Sequence, residues 1–215
     1  TACKERLLGL AWQRFKRRSV RTQEPEWELF CRDQASWLDD YALFTALKDR
    51  FGGAPWHLWP RPIRDRQTDG LRLAGEELAE AVSREKFHQY LFFLQWRDLK
   101  RYCNGLGIQI VADMPIYVNH DSADVWAHPG LFQLDCRKRS AFVAGVPPDY
   151  FSKTGQLWGN PLYRWERLKK TGYAWMIDRI AHQLNWADWV RIDHFRGFVN
   201  YWAVPAAETT AVNGR

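Results

Sequence analysis

The stretch WVRIDHFRGF, Trp189 to Phe198, decides how the chain is read. Its first half has the apolar character of a buried strand, yet it holds an arginine and an aspartate two residues apart. Strand side chains alternate faces, so Arg191 and Asp193 point one way while Val190, Ile192 and His194 point the other. An ion pair aimed off the end of an apolar strand fits a catalytic mouth. It fits a structural salt bridge at a strand end as well.

Working outward, a helical pattern runs through Trp175, Ile177, Ile180, Ala181 and Leu184 just before this strand. Further upstream, IQIVADMPIYV from Ile108 is a short run rich in β-branched residues, closed by Asp113 and Pro115 and preceded closely by a helix. It reads as a buried parallel strand. Helix, strand, helix, strand is the grammar of an α/β fold. In a barrel of eight strand-helix units the chemistry sits at the C-terminal ends of the strands, where Asp113 and Asp193 both fall. Such a barrel needs about 250 residues, so 215 residues with a helical first half are expected to hold part of one.

That first half reads as three helical stretches. Leu7, Leu8, Ala11, Trp12 and Phe15 recur at helical spacing, and the pattern returns from Trp27 to Phe51, stopped by Gly52-Gly53 as a C-cap would stop it. APWHLWPRPIRDRQTDG reads as an irregular, proline-rich connection. A long helix then runs from Glu76 to Cys103. The stretch between the two strands is long, aromatic, and rich in Pro, Gly and Asp, and it reads as an irregular loop covering a site.

Composition narrows the function. With 46% hydrophobic and 26% charged residues the chain has the balance of a globular protein, and no run is long enough for a membrane helix. Cys3, Cys31, Cys103 and Cys136 are scattered without a C-x-x-C pair, which signals neither a disulfide framework nor a zinc site and fits the cytoplasm. The net charge is +6, and the dense basic cluster Lys16, Arg17, Arg18 and Arg21 reads as a solvated helix face rather than a nucleic-acid surface. Tryptophan is the outlier at 13 copies; such rings line sugar clefts and also fill cores. The chain opens at Thr1 inside a helical pattern and closes at TTAVNGR with no capping element, so it is expected to be cut at both ends.

Several residues invite chemistry. An ionised Asp193, kept so by Arg191, is in the state of a nucleophile; a retaining glycosidase needs this and a protonated carboxyl about 5 to 5.5 Å away. Asp113 could hold sugar hydroxyls or simply cap a turn. In AGVPPDYFSKTGQLWGNPLY the rings of Tyr150, Phe151 and Trp158 alternate with Asp149, Gln156 and Asn160, as for stacking and hydroxyl binding, or as a self-packed loop. His120 and His128 have no ligand partner at metal spacing, so no metal is expected. A dinucleotide fingerprint, a phosphate loop and a nucleophile elbow are all missing.

GIQIVADMPIYV, DSADVWAHP, AGVPPDYFSKTGQLWGNPLY and VRIDHFRGF occur in this order in the 4-alpha-glucanotransferases called amylomaltase or disproportionating enzyme. The chain resembles them along essentially its whole length, and DYALFTALKDRFGGAPWHLWP is similar to that family's helical insertion. The resemblance implies an α/β fold that is part of a (β/α)8 TIM barrel with an inserted helical subdomain. Residues 1–104 would be the helical insertion and a barrel helix, and residues 105–215 two central strands with the long active-site loop.

By position, the resemblance implies that Asp193 is the catalytic nucleophile and Arg191 the arginine holding it ionised. His194 and Asp113 would lie around the bound glucose, Asp149, Tyr150 and Phe151 in the loop over the site, and Gln156, Trp158 and Asn160 in the same segment. The implied substrates are α-1,4-glucans, with no cofactor, metal, nucleic acid or membrane involved. The family's general acid is a glutamate on a later strand, beyond Arg215, and Glu208 does not match it, so the chain alone is expected to show no turnover. The rival readings are a hydrolase of the α-amylase clan and a non-catalytic glucan-binding protein.

Overall fold

The computed structural model describes residues 2–19 and 25–215; Arg21 of the basic cluster lies outside them. Two compact units emerge, Thr1–Ala54 with Trp59–Asp98, and Pro55–Leu58 with Leu99–Arg215.

The first unit is helical. It comprises α1 (Ala2–Ser19), α2 (Pro25–Asp33), α3 (Ala35–Arg50), α4 (Arg61–Arg64), α5 (Thr68–Glu77) and most of α6 (Ala79–Gly105). The helix expected over Trp27 to Phe51 is therefore two, broken at Gln34, whose side chain takes a hydrogen bond from the Trp37 indole at 2.8 Å. Spacing alone hides this break because the apolar period continues across it. The expected stop at Gly52-Gly53 is present: the Gly53 amide donates to the Lys48 carbonyl at 2.8 Å. The segment read as irregular is largely helical, since α4 begins with a proline near its N-terminus and α5 follows directly.

The core of this unit is aromatic. Trp12, Phe30, Leu38, Phe87 and Tyr90 are buried together, with Phe15, Trp27 and Phe93 packed against them. Burying a ring of this kind contributes roughly 1.5–3 kcal/mol relative to leaving it in water. Trp12 keeps its indole N–H satisfied by donating to Glu80 at 2.8 Å, and Lys16 of the basic cluster pairs with the same carboxylate at 2.6 Å. That carboxylate occupies part of the cluster's charge.

The second unit is mixed α/β. Strand β1 (Val111–Pro115) pairs in parallel with β4 (Trp189–Asp193), and a separate three-stranded antiparallel sheet has the order β3 (Gln156–Pro161), β2 (Phe142–Val146), β5 (Trp202–Pro205). Between them lie α7 (Ala123–Ala127), α8 (Trp165–Lys170) and α9 (Ala174–Trp186), and α9 packs against both parallel strands. The long loop expected to be irregular thus contributes two strands, β2 and β3, to a sheet that β5 completes from beyond β4. Its strands are short, with glycine or proline at several positions, and they give no clean alternation for sequence reasoning to find.

One residue ties the parallel strands together at their start. Asp188 accepts from the Ile110 amide at 2.8 Å and from Asn104 at 2.9 Å, and it lies 3.3 Å from the Lys100 ammonium. These bonds hold its carboxyl below the usual carboxylate range. At the other end of β1 the chain is pinned carbonyl by carbonyl. Arg179 donates to Pro115 at 2.7 Å and to Ile116 at 3.0 Å, the Tyr163 hydroxyl donates to Ile116 at 2.6 Å, and Asn160 donates to Val118 at 2.9 Å. Both ends of the strand are therefore rigid.

The short segment Pro55–Leu58 is fastened just beyond β1. Trp56 is fully buried, its backbone amide donates to Asp121 at 3.1 Å, its indole donates to the His120 carbonyl at 2.7 Å, and its ring stacks on His120 at 5.6 Å. Among the described residues no helix is long and apolar enough to cross a membrane.

Candidate active site

The parallel register sets the geometry. Asp113 stands opposite Arg191, and Pro115 opposite Asp193. Along both strands the odd-numbered positions are exposed, so Asp113, Arg191 and Asp193 share one face, while Met114 and Ile192 turn to the other. Asp113 does not end its strand as Asp193 does; it sits one pleat deeper.

This alters the electrostatics expected from the sequence. Arg191 donates from Nε to Asp113 Oδ1 at 3.0 Å, and from Nη2 to Asp113 Oδ2. The two-pronged bond holds the Asp113 carboxyl below its ordinary range and raises the guanidinium's own pKa, to which Asp193 adds only a smaller attraction. Among the described residues nothing donates a hydrogen bond to the Asp193 carboxylate. Arg191 was expected to spend itself on Asp193 because the two lie on one strand and one face. The cross-strand partner wins because it stands directly opposite, where both prongs of the fork can be used. Asp193 is left as an exposed carboxylate beside a cation already engaged.

The next residue bends the chain. His194 adopts the left-handed conformation (φ 52°), and a single 3-10 turn follows at Phe195–Phe198. A non-glycine residue there is strained and persists only where its surroundings hold it. The His194 ring meets Trp158 edge-to-face at 4.8 Å. Trp158, 36% exposed, donates its indole N–H to Gln156 at 3.0 Å. A strand end and a sheet edge thus present Trp158, Gln156 and His194 together.

The remaining expected site residues are placed differently. Asn160 gives its amide to the Val118 carbonyl, which makes it a tie between β3 and the chain after β1. Asp149 accepts from the amides of Phe151 at 2.9 Å and Ser152 at 2.8 Å, building the turn that carries the loop tip. That turn leaves Tyr150 and Phe151 at 96% and 93% exposure, edge-to-face with each other at 5.5 Å. The two rings stand together in water at the tip of the loop. No group of three or more His, Cys, Asp or Glu among the described residues could hold a metal ion.

Sequence reasoning passed over Tyr117 and Gly197. Tyr117 is buried behind Trp158, with ring centroids 6.2 Å apart. A methyl group on Gly197 would come within 3.1 Å of the His194 ring. The glycine three residues after the strand-end histidine was the available signal for Gly197, and Tyr117 had none.

Comparison with known proteins bears on this arrangement. The model of the 4-alpha-glucanotransferase family matches residues 1–215. The 4-alpha-glucanotransferase of Synechocystis is 50% identical over 99% of this chain and 42% of the relative, and that of Thermus thermophilus is 51% identical over 95% and 41%. The structure of amylomaltase from Streptococcus agalactiae in complex with acarbose superposes with a TM-score of 0.88 at 38% identity, covering 95% of this chain and 42% of that one. The chain spans about two fifths of the length of the relatives it matches.

Proposed function

The chain belongs to the 4-alpha-glucanotransferase family, and from that premise we propose that it carries the nucleophile and part of the sugar-binding wall of an enzyme that moves α-1,4-glucan segments from one chain to another. In this reading β1 and β4 are two neighbouring strands of a (β/α)8 barrel, and the helical unit is an insertion into it. The observation that carries the reading is the exposed Asp193 carboxylate at the end of β4, next to the Arg191–Asp113 pair and level with the Trp158–His194 wall.

The chemistry is a double displacement with retention. Asp193 attacks the anomeric carbon of the donor glucan as the glycosidic bond breaks, and the departing 4-oxygen takes a proton from a general acid. The glucosyl ester on Asp193 is then attacked by the 4-hydroxyl of an acceptor glucan, whose proton returns to that acid. A neutral pairing of Asp113 with Arg191 keeps the floor of the site polar without adding net charge, which leaves the Asp193 carboxylate on the same face to meet the sugar.

Asp149, Tyr150 and Phe151 act in this scheme as a covering tip that limits water and favours a sugar acceptor. Gln156 orients Trp158 for stacking, and Asn160 fixes the sheet against β1. We place the enzyme in the cytoplasm, in keeping with four free cysteines. The test is product analysis with maltotriose and the full-length enzyme. Longer glucans and glucose without a net gain of reducing ends support transfer, whereas net new reducing ends mean hydrolysis. Binding with no products means a sugar-binding protein.

A further inference from the structure

We propose that Tyr117 is a positioning residue of the glucan site, whose ring braces Trp158 and, through it, His194. The proposal rests on the assignment of those two residues to the site.

The rings form a column from core to surface. Tyr163 and Tyr117 stack at 5.8 Å with 21° between their planes, Tyr117 meets Trp158 at 6.2 Å, and Trp158 meets His194 at 4.8 Å. The base of the column is fixed. Tyr163 is buried against Phe132 at 5.3 Å and Trp175 at 5.9 Å, and its hydroxyl is bonded to the Ile116 carbonyl. The backbone carrying Tyr117 is held on both sides by bonds to the carbonyls of Ile116 and Val118. Tyr117 therefore cannot drift, and Trp158 rests on it.

The other side of His194 is closed by Gly197. A methyl group there would lie 2.8 Å from Ile116 Cδ1, 3.1 Å from His194 Cδ2 and 3.5 Å from the Tyr117 hydroxyl oxygen, so the turn packs directly on the column. This packing accounts for a histidine held in a strained backbone conformation immediately after Asp193.

The Tyr117 hydroxyl identifies the ring as the useful part. It is buried and has no hydrogen-bond partner among the described residues, which costs stability rather than adding to it. Burial also pushes the phenol up to about 12, so it stays neutral at any working pH. A phenylalanine would brace Trp158 equally well. A flexible aliphatic side chain would not.

The experiment measures KM and kcat for maltotriose disproportionation, with thermal midpoints, for the full-length enzyme and three variants. Tyr117→Phe should stay within about twofold of wild type in both constants, with a midpoint no lower. Tyr117→Leu should raise KM about tenfold with kcat changed far less, because misplacing a contact surface by an ångström can cost up to a hundredfold. Phe87→Leu, which truncates a buried ring in the core of the helical unit and touches no member of the column, should lower the midpoint while leaving KM within about twofold. Where Tyr117→Leu does not fold, Tyr117→Met, an unbranched side chain that adapts to an irregular gap, replaces it. A wild-type KM in Tyr117→Leu, an equal KM rise in Phe87→Leu, or loss of activity in Tyr117→Phe overturns the proposal. A wild-type enzyme that does not disproportionate maltotriose overturns the functional assignment instead.

Discussion

Arg191 closes its fork on Asp113 across the parallel pair, Nε to Oδ1 at 3.0 Å, and not on Asp193 two residues along its own strand. Lysine can keep the charge at this position but cannot make both bonds. Arg191→Lys in the full-length enzyme is therefore expected to lower kcat/KM on the order of a hundredfold, the penalty for a small displacement of reacting groups, with little loss of thermal stability. Steady-state kinetics beside a melting curve checks this. Unchanged kcat/KM would mean that the fork does not organise the site.

Acid should loosen the anchorage of Trp56. Burial lowers the pKa of His57 from 6.5, assisted by His120 and Arg139 and opposed by Asp121 and Asp135. A histidine with a depressed folded value binds its proton more readily when unfolded, so stability is intact above pH 6.5 and falls as the pH drops from there toward the folded value. Urea midpoints at pH 7.5 and pH 5 should differ more for wild type than for His57→Gln. Equal differences would show that His57 does not contribute.

The loop that carries Tyr150 and Phe151 depends on one close approach. At Gly155 φ is +67° and a methyl group would stand 2.3 Å from the Val146 carbonyl oxygen, whereas Gly159, at φ +79°, has nothing within 4 Å. Gly159→Ala should cost only the left-handed conformation, about 1–2 kcal/mol. Gly155→Ala should cost more, because β2 and β3 must also move apart. Denaturation of the two variants side by side ranks them, and a smaller loss for Gly155→Ala would refute the packing.

Thiol reactivity should separate the cysteines. Burial pushes the Cys31 thiol up to about 11, against the opposing pull of Lys86, whereas Cys3 and Cys136 are exposed. Because the thiolate is the reactive form, alkylation at pH 8 is expected to label Cys3 and Cys136 first and to leave Cys31 nearly untouched. Peptide mass mapping over time reads the order.

The parallel strands and most helices were legible because their signals are local. The alternation in WVRID and the compact run before Pro115 are properties of single segments. Their pairing partners are not. Nothing in the spacing says that Arg191 faces Asp113 rather than Asp193, because that depends on the register of two strands far apart in the chain. The β3-β2-β5 sheet stayed hidden for a related reason. Its strands are short and interrupted by Gly145, Gly159 and Pro161, and only their mutual bonds define them. Family motifs pointed to candidate site residues, but the structure alone shows Asp149 and Asn160 engaged in holding the loop and the sheet.

The central claim concerns one carboxylate, and the direct measurement is chemical trapping. Full-length enzyme is incubated with an α-glucosyl fluoride and no acceptor, quenched in acid, digested, and analysed by peptide mass spectrometry. The account predicts a hexose ester on the side chain of Asp193 that disappears when a maltooligosaccharide acceptor is added before the quench. A sugar ester on any other carboxylate, or turnover that persists undiminished in Asp193→Asn, would contradict it.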